Sequence, residues 1–267
     1  MFTQVNDFRD ESEALYRLMQ PLGAEAFGTV TQFKQWTFDE ILGHLHLWNY
    51  AADLSLADEA AFQAFIGEVF QYVASGSLRS FEQQWLAGLC GKDLLEQWYG
   101  FVREMSQRFS AADPQTRVKW AGPDMSVRSS ITARLMETWA HGLAIYDALG
   151  VERSDTDRIR NIAVLGVNTF GWTFKNRRLE VPAQMPYVHL TAPSGEPWEW
   201  GEPNERECVE GSATEFCQVV TQTRNVADTA LQVTGNTATG WMQIAQCFAG
   251  PPEQPPAPGM RFVQRPR

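Results

Sequence analysis

Trp36-Thr37-Phe38-Asp39-Glu40-Ile41-Leu42-Gly43-His44-Leu45-His46-Leu47-Trp48 opens with a helix-start signal and then sets a histidine in an apolar helix face. Thr37 and Glu40 have the spacing of a capping box, in which hydroxyl and carboxylate each accept a hydrogen bond from the other residue's amide. Trp36, one residue before the cap, stands where a hydrophobic staple would. Phe38, Ile41, Leu42, Leu45 and Trp48 recur at helical spacing, out to about Leu56. A buried histidine must find a partner or stay neutral, so His44 is either a hydrogen-bonded core residue or a metal ligand. His46, two residues on, leaves another side of the helix and reads as structural or surface.

Working outward, residues 5–19 form a helix that Pro21 and Gly23 stop. Residues 58–73 and 79–88 read as two shorter helices separated by Ser75-Gly76-Ser77, and 92–110 as a longer one. A loop with Pro114, Gly122 and Pro123 precedes a helix that Ser126 caps and Gly150 ends. One more helix is predicted over 155–177. Pro182, Pro186, Pro193 and Pro197 then mark a change of character. Tyr187–Leu190 and Trp198–Trp200 look like short strands, followed by helices over 211–223 and 225–247. Gly250-Pro251-Pro252 through Pro258-Gly259 reads as an extended arm or a disordered segment. The fold expected is mainly α, with a helical bundle over 1–180, a small α+β domain over 181–250 and a Pro-rich tail over 251–267.

Composition narrows the partners. Hydrophobic residues are 44% and charged residues 20%, ordinary for a globular protein, and the formal net charge is -10. That balance opposes nucleic acid and anionic membrane surfaces, both of which select Lys and Arg. The acidic start, through Asp7, Asp10, Glu11 and Glu13, does not read as a signal peptide. No stretch reaches the roughly 18 apolar residues of a membrane-spanning helix. Cys90, Cys208, Cys217 and Cys247 are scattered, as reduced thiols would be. The expectation is a cytoplasmic protein with a small-molecule substrate, with a homodimer as the assembly to consider. Cys90 itself is expected to be an inert core thiol, and His189 a structural strand residue.

Glu137 and His141 lie four residues apart within Leu135-Met136-Glu137-Thr138-Trp139-Ala140-His141-Gly142, so both side chains leave one helix face amid apolar neighbours. A carboxylate and an imidazole so placed can bind one metal ion, or merely pair with each other. Trp36-Thr37 with His44 eight residues after the Trp, then Glu137-x-x-x-His141 and Ala148-Leu149-Gly150, resembles the mycothiol-dependent maleylpyruvate isomerase family. The resemblance covers residues 8–175. It implies a DinB/YfiT-like four-helix bundle that holds a divalent metal through His44, Glu137 and His141. The segment from Val188 looks like the C-terminal domain of an actinobacterial-type subgroup. Relatives commonly carry Asp three residues after the second His, where this chain has Ala144, and the C-terminal Trp-Gly-Arg element has no clear match.

No nucleophile elbow, phosphate-binding loop or dinucleotide fingerprint occurs; Gly235-Asn236-Thr237-Ala238-Thr239-Gly240 lacks the phosphate Lys and reads as a turn or inter-helix loop. Three protein ligands leave an open coordination position. The resemblance implies that a low-molecular-weight thiol takes it, in a transferase or isomerase reaction. A metal-dependent hydrolase and a non-catalytic metal-stabilised binding module are the alternatives. Zinc suits two His and one Glu, and nickel, manganese or iron can occupy the same ligands.

Overall fold

The structure, a computed structural model, describes residues 2–264; Met1 and residues 265–267, the last of the Pro-rich tail, lie outside it. It divides into two compact units, Met1–Ala148 and Leu149–Arg267. The sequence reading set the boundary near 180; here the helices that follow Gly150 belong to the second unit. Gly150 itself, at φ 70, supplies the left-handed stop that ends the preceding helix.

The first unit is built from α1 (Thr3–Met19), α2 (Phe38–Ala57), α3 (Glu59–Ser75), α4 (Leu78–Leu86), α5 (Gly91–Ala111) and α6 (Val127–Leu149). α1 and α2 both pack on α5, burying Phe8, Leu15, Leu42, Leu45, Leu95, Trp98 and Met105. The capping box is formed: Thr37 Oγ1 accepts from the Glu40 amide at 3.2 Å and Glu40 Oε2 accepts from the Thr37 amide at 2.8 Å. α3 and α4 close over the second half of α2 around Leu47, Ala51, Phe62, Ile66, Val69 and Phe81. The loop before α6 holds a short pairing that the sequence did not announce, β1 (Arg117–Val118) with β2 (Met125–Ser126). Ser126 then caps α6, its Oγ accepting from the Ser129 amide.

The second unit departs more from expectation. The single helix predicted over 155–177 is a 3-10 turn (Asp157–Ile159), α7 (Arg160–Asn168) and α8 (Phe170–Asn176). Its break falls at Thr169, whose hydroxyl donates to the carbonyls of Leu165 and Gly166, competing with the helix ladder. The sheet runs β4 (Pro197–Trp200), β3 (Tyr187–Thr191), β5 (Cys208–Ser212), β6 (Gln232–Thr234), with β3 and β5 parallel. α9 (Ala213–Val220) packs on it, and Gly166 lets α7 approach α9: a Cβ there would lie 2.8 Å from Val220.

The helix expected over 225–247 is instead a 3-10 turn at Val226–Asp228, then β6, then α10 (Asn236–Ile244). Gly235, at φ 93, turns the chain between the last two. Residues 235–240 are thus a helix start, whose Thr237 and Ala238 amides donate to the Glu207 carboxylate. The Pro-rich arm is pinned rather than loose. Gln222 Nε2 donates to Glu253 O, Asn225 Nδ2 to Pro256 O, and the Gly259 amide to Asp228.

Candidate metal centre

α2 and α6 bring His44, Glu137 and His141 together, with one ligand atom of each within 4.8 Å of the others. The His44 and His141 rings are 4.8 Å apart between centroids. His141 Nε2 lies 3.0 Å from Glu137 Oε2. Burial pushes the His141 pKa down, which leaves its imidazole neutral near pH 7. Burial alone would raise that of Glu137, but the His141 hydrogen bond and the nearby Arg134 charge help to outweigh it and hold the carboxyl well below its ordinary range. A neutral imidazole and an ionised carboxylate are the protonation states a metal requires. His141 Nδ1 is buried and without a hydrogen-bond partner among the described residues.

Around these three stand residues the sequence reading did not place. Glu82 of α4, 1% exposed, accepts from His44 Nδ1 at 2.7 Å, which leaves His44 Nε2 as the ring nitrogen for a metal. Arg79 Nη1 is 2.7 Å from Glu82 Oε2, and its guanidinium lies 3.8 Å over the Trp36 ring. Trp36, read from sequence as a staple, lies parallel to His141 within 5°, 5.7 Å away. Phe33 meets His141 edge-on at 4.9 Å, and Trp48 is 6.2 Å from His44. Arg134, one turn before Glu137, is 3% exposed, with Nη2 3.8 Å from Glu137 Oε1 and the guanidinium 5.8 Å over Trp120. Its Nε and Nη1 have no hydrogen-bond partner among the described residues. The signal for Arg134 was present, since i and i+3 share a helix face. Arg79 and Glu82 show only the spacing of a surface ion pair.

The other singled-out residues lie elsewhere. His46 faces Trp85 and Phe101, 3% exposed, and burial pushes its pKa down to about 4. Cys90, expected in the core, is exposed at the start of α5, because Asp39 of α2 captures the next amide, Gly91, at 2.7 Å and turns the chain there. His189 sits on the open sheet face between Glu199 (3.9 Å) and Glu210 (3.6 Å).

Comparison with known proteins fits this geometry. The family model for the mycothiol maleylpyruvate isomerase N-terminal domain matches residues 8–146, which hold all three candidate ligands. The chain belongs to the mycothiol-dependent maleylpyruvate isomerase family. Two uncharacterized proteins of Mycobacterium tuberculosis, from strains CDC 1551 / Oshkosh and ATCC 25618 / H37Rv, are each 38% identical over 248 residues, covering 93% of this chain and 96% of theirs. Crystal structures of the mycothiol-dependent maleylpyruvate isomerase and of a mutant of it share the fold at TM-scores of 0.51 and 0.52, with 14% identity over 81% of this chain and 86% of theirs. The family's mainly α architecture is therefore this chain's architecture. Among the described residues no helix is long and apolar enough to cross a membrane.

Proposed function

We propose that this member of the family is a divalent-metal-dependent enzyme that uses a low-molecular-weight thiol in an isomerase or transferase reaction on an anionic small molecule. The observation that carries the reading is the convergence of His44, Glu137 and His141 in the family's N-terminal domain. Two imidazoles and a carboxylate suit zinc, with nickel, manganese and iron able to take the same donors, and they leave a position open. A divalent metal held there lowers the pKa of a coordinating thiol and keeps its thiolate as nucleophile.

This chain's residues supply the rest. His44 and His141 bind as neutral donors, and Glu137 supplies one compensating negative charge. Phe33, Trp36 and Trp48 put aromatic surface against the ligand histidines, which restricts water there. Arg134 supports an anionic substrate: a buried guanidinium cannot shed its proton, and two of its nitrogens lack acceptors. An anionic group is the acceptor such charged donors bind most strongly. Ala144, where relatives carry Asp, and the unmatched Trp-Gly-Arg element keep a transferase reaction beside isomerisation. The setting we propose is cytoplasmic, with the chain acting alone or as a homodimer.

Cobalt replaces zinc with a visible spectrum, so it tests the reading directly. Mycothiol, glutathione and bacillithiol analogues at millimolar concentration are expected to add a thiolate charge-transfer band and release a proton. His44→Ala and His141→Ala should each bind metal more than about a hundredfold more weakly, since a four-ligand zinc site is worth about 10–16 kcal/mol in all. Metal content equal to wild type in both variants sinks the centre. A cobalt spectrum untouched by every thiol sinks the thiol-dependent reading.

A further inference from the structure

We infer that α4 is the helix that fixes both histidines of the centre, Glu82 by holding His44 in the tautomer with Nε2 unprotonated and Arg79 by holding Trp36 flat against His141. The inference rests on the metal-centre reading above and assigns work to two residues outside its ligand set.

The observation that demands explanation is Glu82 itself. A carboxylate that is 1% exposed carries a large desolvation cost, which only close polar partners offset. It has two. Oε1 accepts the Nδ1–H of His44 at 2.7 Å, and Oε2 lies 2.7 Å from Arg79 Nη1 in an ion pair that lacks hydrogen-bond geometry. A neutral imidazole carries one N–H, so a bond from Nδ1 leaves the lone pair on Nε2. The carboxylate also makes the ring a stronger donor to a cation, as the outer carboxylate partners of metal-bound histidines do. A glutamine would satisfy the same hydrogen bond without charge, so the buried charge is the part that purely structural packing leaves unexplained.

Arg79 completes the arrangement from the same face of α4, three residues before Glu82. Its Nη1 donates to the Glu40 carbonyl at 3.0 Å, tying α4 to the first turn of α2, the turn that Glu40 caps. Its guanidinium stacks on Trp36 at 3.8 Å, and Trp36 lies parallel to His141. A lysine could keep the charge but not the planar stack. The positive charge of Arg79 offsets that of Glu82, so α4 orients two rings while adding no net charge to the centre. α4 is only nine residues long, yet Glu82 bonds His44 directly and Arg79 meets the Trp36 ring that lies beside His141.

The test uses the full chain with zinc alone as the probe. Affinity is read by competition with a chromophoric chelator, and the His44 tautomer by nitrogen NMR of the chelator-treated protein. Glu82→Gln, which keeps an acceptor, should weaken zinc by roughly tenfold and Glu82→Leu by roughly a hundredfold. His44 should carry its proton on Nδ1 in the wild type and in Glu82→Gln, and on Nε2 in Glu82→Leu. Arg79→Lys should weaken zinc by less than Glu82→Leu does. Affinities of the Glu82 variants within twofold of wild type overturn the inference. So does a fall in affinity with the tautomer unaltered in Glu82→Leu, since the loss would then come from general disturbance. An unchanged Arg79→Lys overturns the Trp36 part. His44→Ala is the separate control: if it binds zinc as wild type does, the metal centre itself fails and Glu82 is not at issue.

Discussion

Each compact unit buries a cluster of polar side chains, and the two clusters are closed to different degrees. In the Leu149–Arg267 unit, Arg153 and Asp155 form an ion pair at 3.0 Å with both side chains 5% exposed. Gln222 Nε2 donates to the carbonyls of Ala245 and Glu253, and Gln246 Nε2 to those of Phe248 and Pro251, while its Oε1 accepts from the Glu253 amide. These groups are partnered; in the same network Arg177 donates to Gln246 Oε1 and Glu253 O, and its Nε alone of that network has no partner among the described residues. In the Met1–Ala148 unit, Arg134 Nε and Nη1 and His141 Nδ1 are buried without partners among the described residues. An unmet buried donor costs about 1–3 kcal/mol, more when charged. A closed network holds a fold together, whereas an open one beside three convergent candidate ligands is where the proposed centre would bind its metal and substrate.

The comparison breaks most directly at its two arginines. Arg153→Met removes a buried ion-pair partner of Asp155 and should cost about 3–5 kcal/mol. Arg134→Met removes an under-compensated charge, while Glu137 keeps its bond to His141. Its stability should be unchanged or higher, by up to about 1 kcal/mol, because well-packed apolar replacements of buried ions are often neutral or stabilising. Urea unfolding with chelator present compares the two without a metal contribution. Equal losses in both variants would end the distinction between a closed and an open cluster.

His46 sharpens the point, because it too is buried with an unpartnered Nδ1 yet belongs to no ligand set. Unlike arginine it can go neutral, and burial holds its folded pKa at about 4 against 6.5 unfolded. The unfolded chain therefore takes up a proton first as pH falls. Stability is full above pH 6.5 and drains between pH 6.5 and about 4, by up to about 3 kcal/mol. In His46→Leu that part of the slope should vanish, and zinc should still bind. Because His141 contributes in the same direction to both proteins, the difference between them is the measurement. Superimposable stability–pH curves would show that His46 meets water or a partner on folding.

The sequence was most legible where local chemistry decides. Thr37, Glu40 and the apolar spacing that follows specify α2 without reference to the rest of the chain, and Ser126 and Gly150 bracket α6 in the same way. The Glu137–His141 pair is equally local. Linking it to His44 took a family resemblance, since no spacing rule spans the distance from α2 to α6. Glu82 and Arg79 escaped because burial, contributed by α2, turns an ordinary i,i+3 ion pair into part of the centre. Residues 225–247 were misread for a related reason. Gln232–Thr234 becomes a strand by pairing with Cys208–Glu210 of β5, a partner that no window around residue 233 contains.

Backbone strain also lies on the open cluster's side, and it gives the smallest testable effect. The Trp36 amide donates to the Phe33 carbonyl at 2.9 Å and the Thr31 amide to the Trp36 carbonyl at 2.8 Å, closing a β-turn within the four-residue loop 32–35. Its central residues, Lys34 and Gln35, have φ of 49° and 59°, the left-handed conformation such turns ordinarily give to Asn and Gly. The turn presents Phe33 and Trp36 to His141, so the strained segment is also the one that positions the aromatic wall. The left-handed conformation costs an ordinary residue about 1–2 kcal/mol, and glycine gives back about 0.5–1 kcal/mol in unfolded-state entropy. Gln35→Gly should therefore gain about 0.5 kcal/mol, a rise in Tm of about 1–2 °C for a chain of this size. Gln35 Nε2 lies 3.5 Å from the Thr31 carbonyl, a contact too long to count for much. A lower Tm in Gln35→Gly would mean that this side chain, rather than tolerated strain, holds the turn against the centre.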